Sequence, residues 1–86
     1  DSVAVEWKAN WHAGREAQEK GTPEALEEAL ELFTLSARSF PDSWIARDCH
    51  LRRAQILEAL GRPDEAAMAR LRANEHYFSL RSNSEF

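Results

Sequence analysis

Apolar residues recur along this chain at intervals of three and four, and proline-led breaks interrupt the rhythm at three places. Gly21-Thr22-Pro23-Glu24 reads as a helix stop, a cap, a first-turn proline and an acid near the positive helix end. Gly61-Arg62-Pro63-Asp64-Glu65 repeats that grammar with a poorer cap. Between them, Phe40-Pro41-Asp42-Ser43 ends one helix and caps the next. The punctuation predicts four helices, at about 3–20, 23–39, 43–60 and 63–80. All three connections are short, so consecutive helices are expected to run antiparallel. The expected class is all-α: two helix-turn-helix hairpins, about 3–40 and 43–80, stacked in a single domain over 1–86, with 81–86 as a tail.

Each helix shows a face. The first gathers Val3, Trp7, Trp11, Gly14 and Ala17. Gly14 costs about 1 kcal/mol of helix propensity relative to alanine, which implies close approach by the backbone of the second helix. The second helix is apolar over more than half its circumference, through Leu26, Ala29, Leu30, Phe33, Ala37 and Phe40, with Leu32 and Leu35 to one side. A helix so apolar is expected to be buried on two flanks. The third buries Ile45, Cys49, Ile56, Leu57 and Leu60; the fourth has a stripe of Ala66, Ala69, Ala73, Tyr77 and Leu80. A second apolar set on the fourth helix, Ala67, Leu71 and Phe78, is rotated well away from that stripe. Either the helix tilts to bury both sets, or the second set contacts a further repeat, a second copy or a partner.

The two Gly-x-Pro breaks lie 40 residues apart, and at that offset Trp11, Gly14 and Ala17 correspond to Leu51, Ala54 and Leu57. Such a period belongs to helical repeats. Residues 29–41 run Ala29-x3-Phe33-x2-Ser36-Ala37-x3-Pro41. This resembles the second half of a tetratricopeptide repeat, whose pattern is W-x2-L-G-x2-Y…A-x3-F…P. The small-residue positions Gly14 with Ala17, and Ala54 with Leu57, are similar to those of its first half. Gly61 to Ala66 followed by Ala73 resembles the turn and second helix of another repeat, so the likeness covers about residues 7 to 80. The loop after Gly21 is about three residues longer than the pattern, and Arg70 stands in a phenylalanine position. The resemblance implies a right-handed superhelical array fragment and a non-enzymatic scaffold or adaptor for protein contacts. Two hairpins are fewer than the three repeats that such arrays usually need.

In that fold the first helix of each hairpin lines a concave groove. The resemblance therefore implies groove positions at Lys8, His12 and Arg15, and at Asp48, Arg52, Gln55 and Glu58 with Leu51 among them. Some such repeats clamp a carboxylate with Lys, Asn and Arg; that set is incomplete here, so no ligand is carried over. The expected partner-binding residues are Lys8, Trp11, Arg15, Asp48, Leu51, Arg52 and Gln55 in the groove, with Leu71 and Phe78 on the last helix. Trp7 reads as core; Trp11 reads equally as core or as an interface anchor. The expected partner is another protein or peptide. The alternatives are self-association through the last helix and a small regulatory nucleic-acid-binding role.

The remaining observations narrow these readings. Hydrophobic residues make up 43% of the 86 and charged residues 30%, a globular balance. The net charge of -4 is uneven: residues 1–43 carry nine acids and four bases, residues 44–86 six acids and seven bases. The acids Glu24, Glu27, Glu28 and Glu31 read as a solvated helix face. Arg52, Arg53, Arg62, Arg70 and Arg72 offer a basic stripe, but acids interrupt it, so nucleic acid is not the expected partner. One cysteine, Cys49, excludes an internal disulfide and points to a reducing, cytoplasmic setting. It reads as a small buried hydrophobe, with a reactive thiol near Arg52 and Arg53 as the rival. Cys49 and His50 are adjacent and point about 100° apart on a helix, so they cannot chelate one metal. No metal, cofactor or enzymatic activity is expected: the three histidines lack zinc-like spacing, and no phosphate loop is present. No apolar run reaches the roughly 20 residues of a membrane span. A chain opening on Asp1 reads as a fragment, and Glu85-Phe86 as an appended end.

Overall fold

The computed structural model describes residues 2–39 and 44–84, with side chains over 7–38 and 44–75. Four helices account for nearly all of them: α1 (Ser2–Lys20), α2 (Pro23–Ser39), α3 (Trp44–Ala59) and α4 (Pro63–Ser84). The sequence-predicted boundaries hold to within a residue, except that α4 continues four residues beyond the expected 80. The last helix therefore absorbs most of the expected tail. Phe40 lies outside the described residues, and the side chains of Val3, Tyr77, Phe78 and Leu80 outside the described side chains.

The punctuation works as its chemistry requires. Gly21 and Gly61 adopt positive φ, 72° and 74°, which glycine reaches without steric cost. At the end of α3, the Arg62 N–H donates to the Leu57 carbonyl (2.8 Å) and the Gly61 N–H to Glu58 (3.0 Å). That paired closure satisfies two orphan carbonyls and turns the chain back into α4. Thr22 caps α2: its hydroxyl accepts from the Ala25 N–H at 3.2 Å, and its carbonyl from Leu26 at 2.8 Å. Arg62 begins α4 with its carbonyl alone, accepting from Ala66 at 3.1 Å, while its guanidinium reaches forward to Glu65.

Each helix packs on the one before it: α2 on α1, α3 on α2, α4 on α3. Cross-helix pairs fix the directions. Ser36 donates to the Trp7 carbonyl at 3.0 Å while the Phe33 ring lies against Gly14, so α1 and α2 run antiparallel. Between α1 and α3 the pairs Trp11–Asp48 and Gln18–Gln55 keep one offset of 37 residues, so these two helices run parallel, side by side.

The main core joins Leu26, Ala29, Phe33 and Ala37 of α2 with Ala17 of α1 and Ile45, Ala46, Cys49 and Ile56 of α3. Trp7, Trp11, Leu30 and Leu60 pack against its edges. As expected, α2 is buried on two flanks. Leu35 departs from that expectation: it is 41% exposed, because the turn that buries Ser36 and Ala37 rotates it outward. Gly14 also acts differently from the expectation. What approaches it is the ring of Phe33, not a backbone: a Cβ there would lie 3.0 Å from two ring carbons. A smaller core of Ala54, Leu57, Ala66 and Ala69, edged by Leu30, holds the second hairpin. Ala73, further along α4, is also fully buried.

Candidate functional site

Two surfaces drew functional readings from the sequence, and they are built differently. The first is the seam between α1 and α3. Here the parallel register brings together Trp11, Arg15, Asp48, Arg52 and Gln55. The Trp11 indole N–H donates to Asp48 Oδ2 at 2.8 Å, and Arg52 Nε donates to the same oxygen at 3.0 Å. Arg52 also reaches Gln18 Oε1 at 3.3 Å, and the Gln18 amide donates to Gln55 at 3.1 Å. The guanidiniums of Arg15 and Arg52 lie 4.9 and 5.9 Å from the Trp11 ring centre, within cation–π range. Arg52 also sits 5.8 Å from the Phe33 ring, so the seam rests on the core.

Trp11 stands at the edge of the core and in the seam at once. Its ring stands 6.3 Å from Trp7 and packs against the main cluster, while its polar edge ties α1 to α3. Gln18 is the link that sequence reasoning missed; its signal was the same 37-residue offset to Gln55 that joins Trp11 to Asp48. Leu51 is half-buried alongside, and Lys8 and His12 are exposed at the margin.

The second surface is the outer side of α4. Leu71 is 52% exposed and Met68 56%, with Ala67 exposed beside them. Ala66, Ala69 and Ala73, on the opposite side, are fully buried. The described side chains therefore decide against a tilt that buries both sets. Phe78, grouped with Leu71 from the sequence, falls outside the described side chains. Met68 was not singled out from the sequence, although its three-residue step to Leu71 places them together.

The basic stripe read from the sequence does not exist as one surface. Arg52 turns into the seam; Arg70 pairs with Glu58 across α3 and α4, and this bond holds the Glu58 carboxyl below its usual range. Arg62 bonds to Glu65 and, at 3.2 Å, to Glu27 of α2. Only Arg53, Arg62 and Arg72 converge, at a cleft between α2, α3 and α4.

Cys49 is fully buried, and burial pushes its thiol up from 9.0 to about 11 against the weaker opposing influence of the Ser36 hydroxyl. Arg52 and Arg53 do too little to reverse that. The reactive-thiol reading falls: a thiolate scarcely forms at neutral pH. Among the described residues, no three His, Cys, Asp or Glu side chains converge as metal ligands, and no helix is long and apolar enough to cross a membrane.

Comparison of the chain with protein-family models, with curated proteins and with solved structures found no match in any of the three.

Proposed function

We propose that this chain is a non-enzymatic, protein-binding helical-hairpin module of tetratricopeptide-like design, and that it engages its partner through the outer face of α4. The observation that carries the reading is the exposure of Leu71 and Met68 on a helix whose opposite face is fully buried. Covering them is worth roughly 25 cal/mol per Å² of apolar area removed from water. The seam between α1 and α3 is the weaker docking candidate. Trp11, Asp48, Arg52, Gln18 and Gln55 already bond to one another, so an incoming peptide has to displace those bonds before it gains any. On this reading the seam holds two hairpins in register and α4 meets the partner. A single buried thiol suits the reducing, cytoplasmic setting of such an adaptor.

The test compares the chain with a Met68→Glu, Leu71→Asp variant in affinity capture from the native source, with melting curves as a check on folding. The expected outcome is a specific protein retained by the parent and lost from an equally stable variant. A partner retained equally by both overturns the assignment to α4. Light scattering during size exclusion separates the rival occupant: a concentration-dependent dimer abolished by Leu71→Asp assigns the face to a second copy.

A further inference from the structure

Beside the exposed apolar face of α4 lies a cleft of about 250 Å³, floored by Leu30 of α2 and Leu57 of α3 and rimmed by Met68, by Arg53, Arg62 and Arg72, and by one acid, Glu65, which is paired with Arg62. Its volume equals that of about eight waters, room for a side chain or two. The three arginines are not equivalent. Arg62 is neutralised by its bonds to Glu65 and Glu27. Arg72 forms no ion pair among the described residues. Arg53 makes one bond, to His50 Nδ1 at 3.1 Å, and its Nε is buried without a hydrogen-bond partner. Burial first, and the neighbouring Arg72 charge second, press the Arg53 guanidinium below its usual pKa; Glu65 only partly opposes them. A protein folding for stability alone has no use for two like charges facing one cleft, one of them with a buried donor unsatisfied.

We propose that this cleft receives an acidic side chain of an incoming peptide, its carboxylate between Arg53 and Arg72 and an adjoining apolar residue of the peptide lying on Met68 and Leu71. The proposal rests on the reading of α4 as a partner-binding face and adds the partner's chemistry to it. A carboxylate offers acceptors for the guanidinium N–H groups that Arg53 and Arg72 present to the cleft and removes the repulsion between them. The apolar floor and rim select against a fully hydrated anion. Exposed Asp64 and Glu75 on the same helix repel the continuous negative charge of nucleic acid, whereas a peptide can place one acid and keep its other residues neutral.

The experiment uses the full chain and a fluorescein-labelled peptide of repeated Glu-Glu-Leu-Phe, read by fluorescence anisotropy at low and moderate salt. Three other probes accompany it: the same peptide with Gln for Glu, the same with Lys for Glu, and single-stranded oligo-dT. The Glu peptide is expected to bind at least about tenfold more tightly than the Gln peptide, and the Lys peptide not at all. Arg72→Gln and Arg53→Gln should each remove most of that preference, while Arg38→Gln, at an exposed base elsewhere, leaves it intact. Arg72 is exposed, so its variant remains informative even if Arg53→Gln fails to fold. The Glu peptide should also raise the melting temperature of the parent and not of Arg72→Gln. Equal affinity for the Glu and Gln peptides overturns the acidic preference while leaving apolar docking on α4 intact. Absence of binding by either, with the α4 capture still positive, overturns the cleft alone. Oligo-dT binding lost in Arg72→Gln reassigns the cleft to phosphate, and self-association lost in that variant reassigns it to a second copy; either result overturns the peptide.

Discussion

The two hairpins divide the same kinds of residue in opposite ways. In α2 the bulk points inward: Leu26 and Phe33 are buried while Glu27, Glu28 and Glu31 face water. At the 40-residue offset of the Gly-x-Pro breaks, α4 carries Ala66 and Ala73 at the buried positions and Ala67, Met68 and Leu71 at the exposed ones. The contact of α3 with α4 thus closes around alanines and one leucine, whereas the main core, which α3 shares with the first hairpin, closes around Phe33, Leu26, Ile45 and Ile56 with Trp7 and Trp11 at its edge. Alanine lets helices approach closely but removes little surface from water. The larger buried side chains lie in the main core, so most of the hydrophobic stabilisation among the described residues comes from it. The apolar residues that α4 withholds from its own core are then available to a partner.

The largest test of this asymmetry is a matched pair of truncations. Phe33→Ala empties the centre of the main core and should cost about 3–5 kcal/mol, enough to leave much of the chain unfolded. Leu71→Ala, which removes a side chain of similar apolar character from α4, should change stability by less than about 0.5 kcal/mol. Urea unfolding curves measure both. A Leu71→Ala cost that approaches that of Phe33→Ala breaks the comparison, because Leu71 is then part of the core.

A second test uses the thiol that only the main core contains. The Cys49 pKa is raised from 9.0 to about 11 by burial, so the folded state keeps its proton where the unfolded chain has lost it. The stabilisation from the neutral thiol is complete below pH 9 and disappears as pH rises through about 11. The parent should therefore lose about 2–3 kcal/mol over that window relative to Cys49→Ala, in which this dependence is absent. Parallel stability–pH curves for the two proteins would place Cys49 nearer solvent. Slow reaction with a thiol reagent at neutral pH is the companion observation.

Elements were legible in the sequence because capping is local. Gly21, Thr22, Pro23, Gly61 and Pro63 act on their own neighbours, and the bonds at Thr22 and Gly61 are those their chemistry calls for. The inward faces were legible from spacing alone, since Ala66, Ala69 and Ala73 had no other side to share. Exposure at the margins was not. Leu35 and Met68 sit where a rotation of a few tens of degrees decides between core and water, and that rotation is set by the neighbouring helix. Long-range pairing was legible in part: groove positions were placed on one side, but the bonds of Arg52 to Asp48 and Gln18, and of Arg70 to Glu58, depend on the parallel register of α1 with α3 and on the closeness of α4. The cleft at Arg53 and Arg72 draws residues from three helices, so no window of sequence contains it.

The smallest effect is the most discriminating, because two local tendencies oppose each other at Gly14. In an isolated helix Gly14→Ala should stabilise by about 1 kcal/mol, through lower backbone entropy in the unfolded chain. In the folded protein the new methyl would stand 3.0 Å from Phe33 Cε1 and Cζ, with a third ring carbon at 3.2 Å. Phe33 is fully buried, packed among Leu26, Ala29 and Ile56 with the Arg52 guanidinium nearby, so its ring cannot swing aside without opening the core. Overpacking of this kind costs about 1–3 kcal/mol, which exceeds the helical gain, and the net expectation is destabilisation by about 1 kcal/mol. The sign turns on the ring, so it is tested there: in a Phe33→Leu background the methyl has room, and Gly14→Ala should become neutral or stabilising. Destabilisation of equal size in both backgrounds would mean that α1 and α2 are separated at Gly14 by backbone contact after all. The main core would then owe its tightness to helix spacing, as the second hairpin does, and the contrast between the two would lose its physical basis.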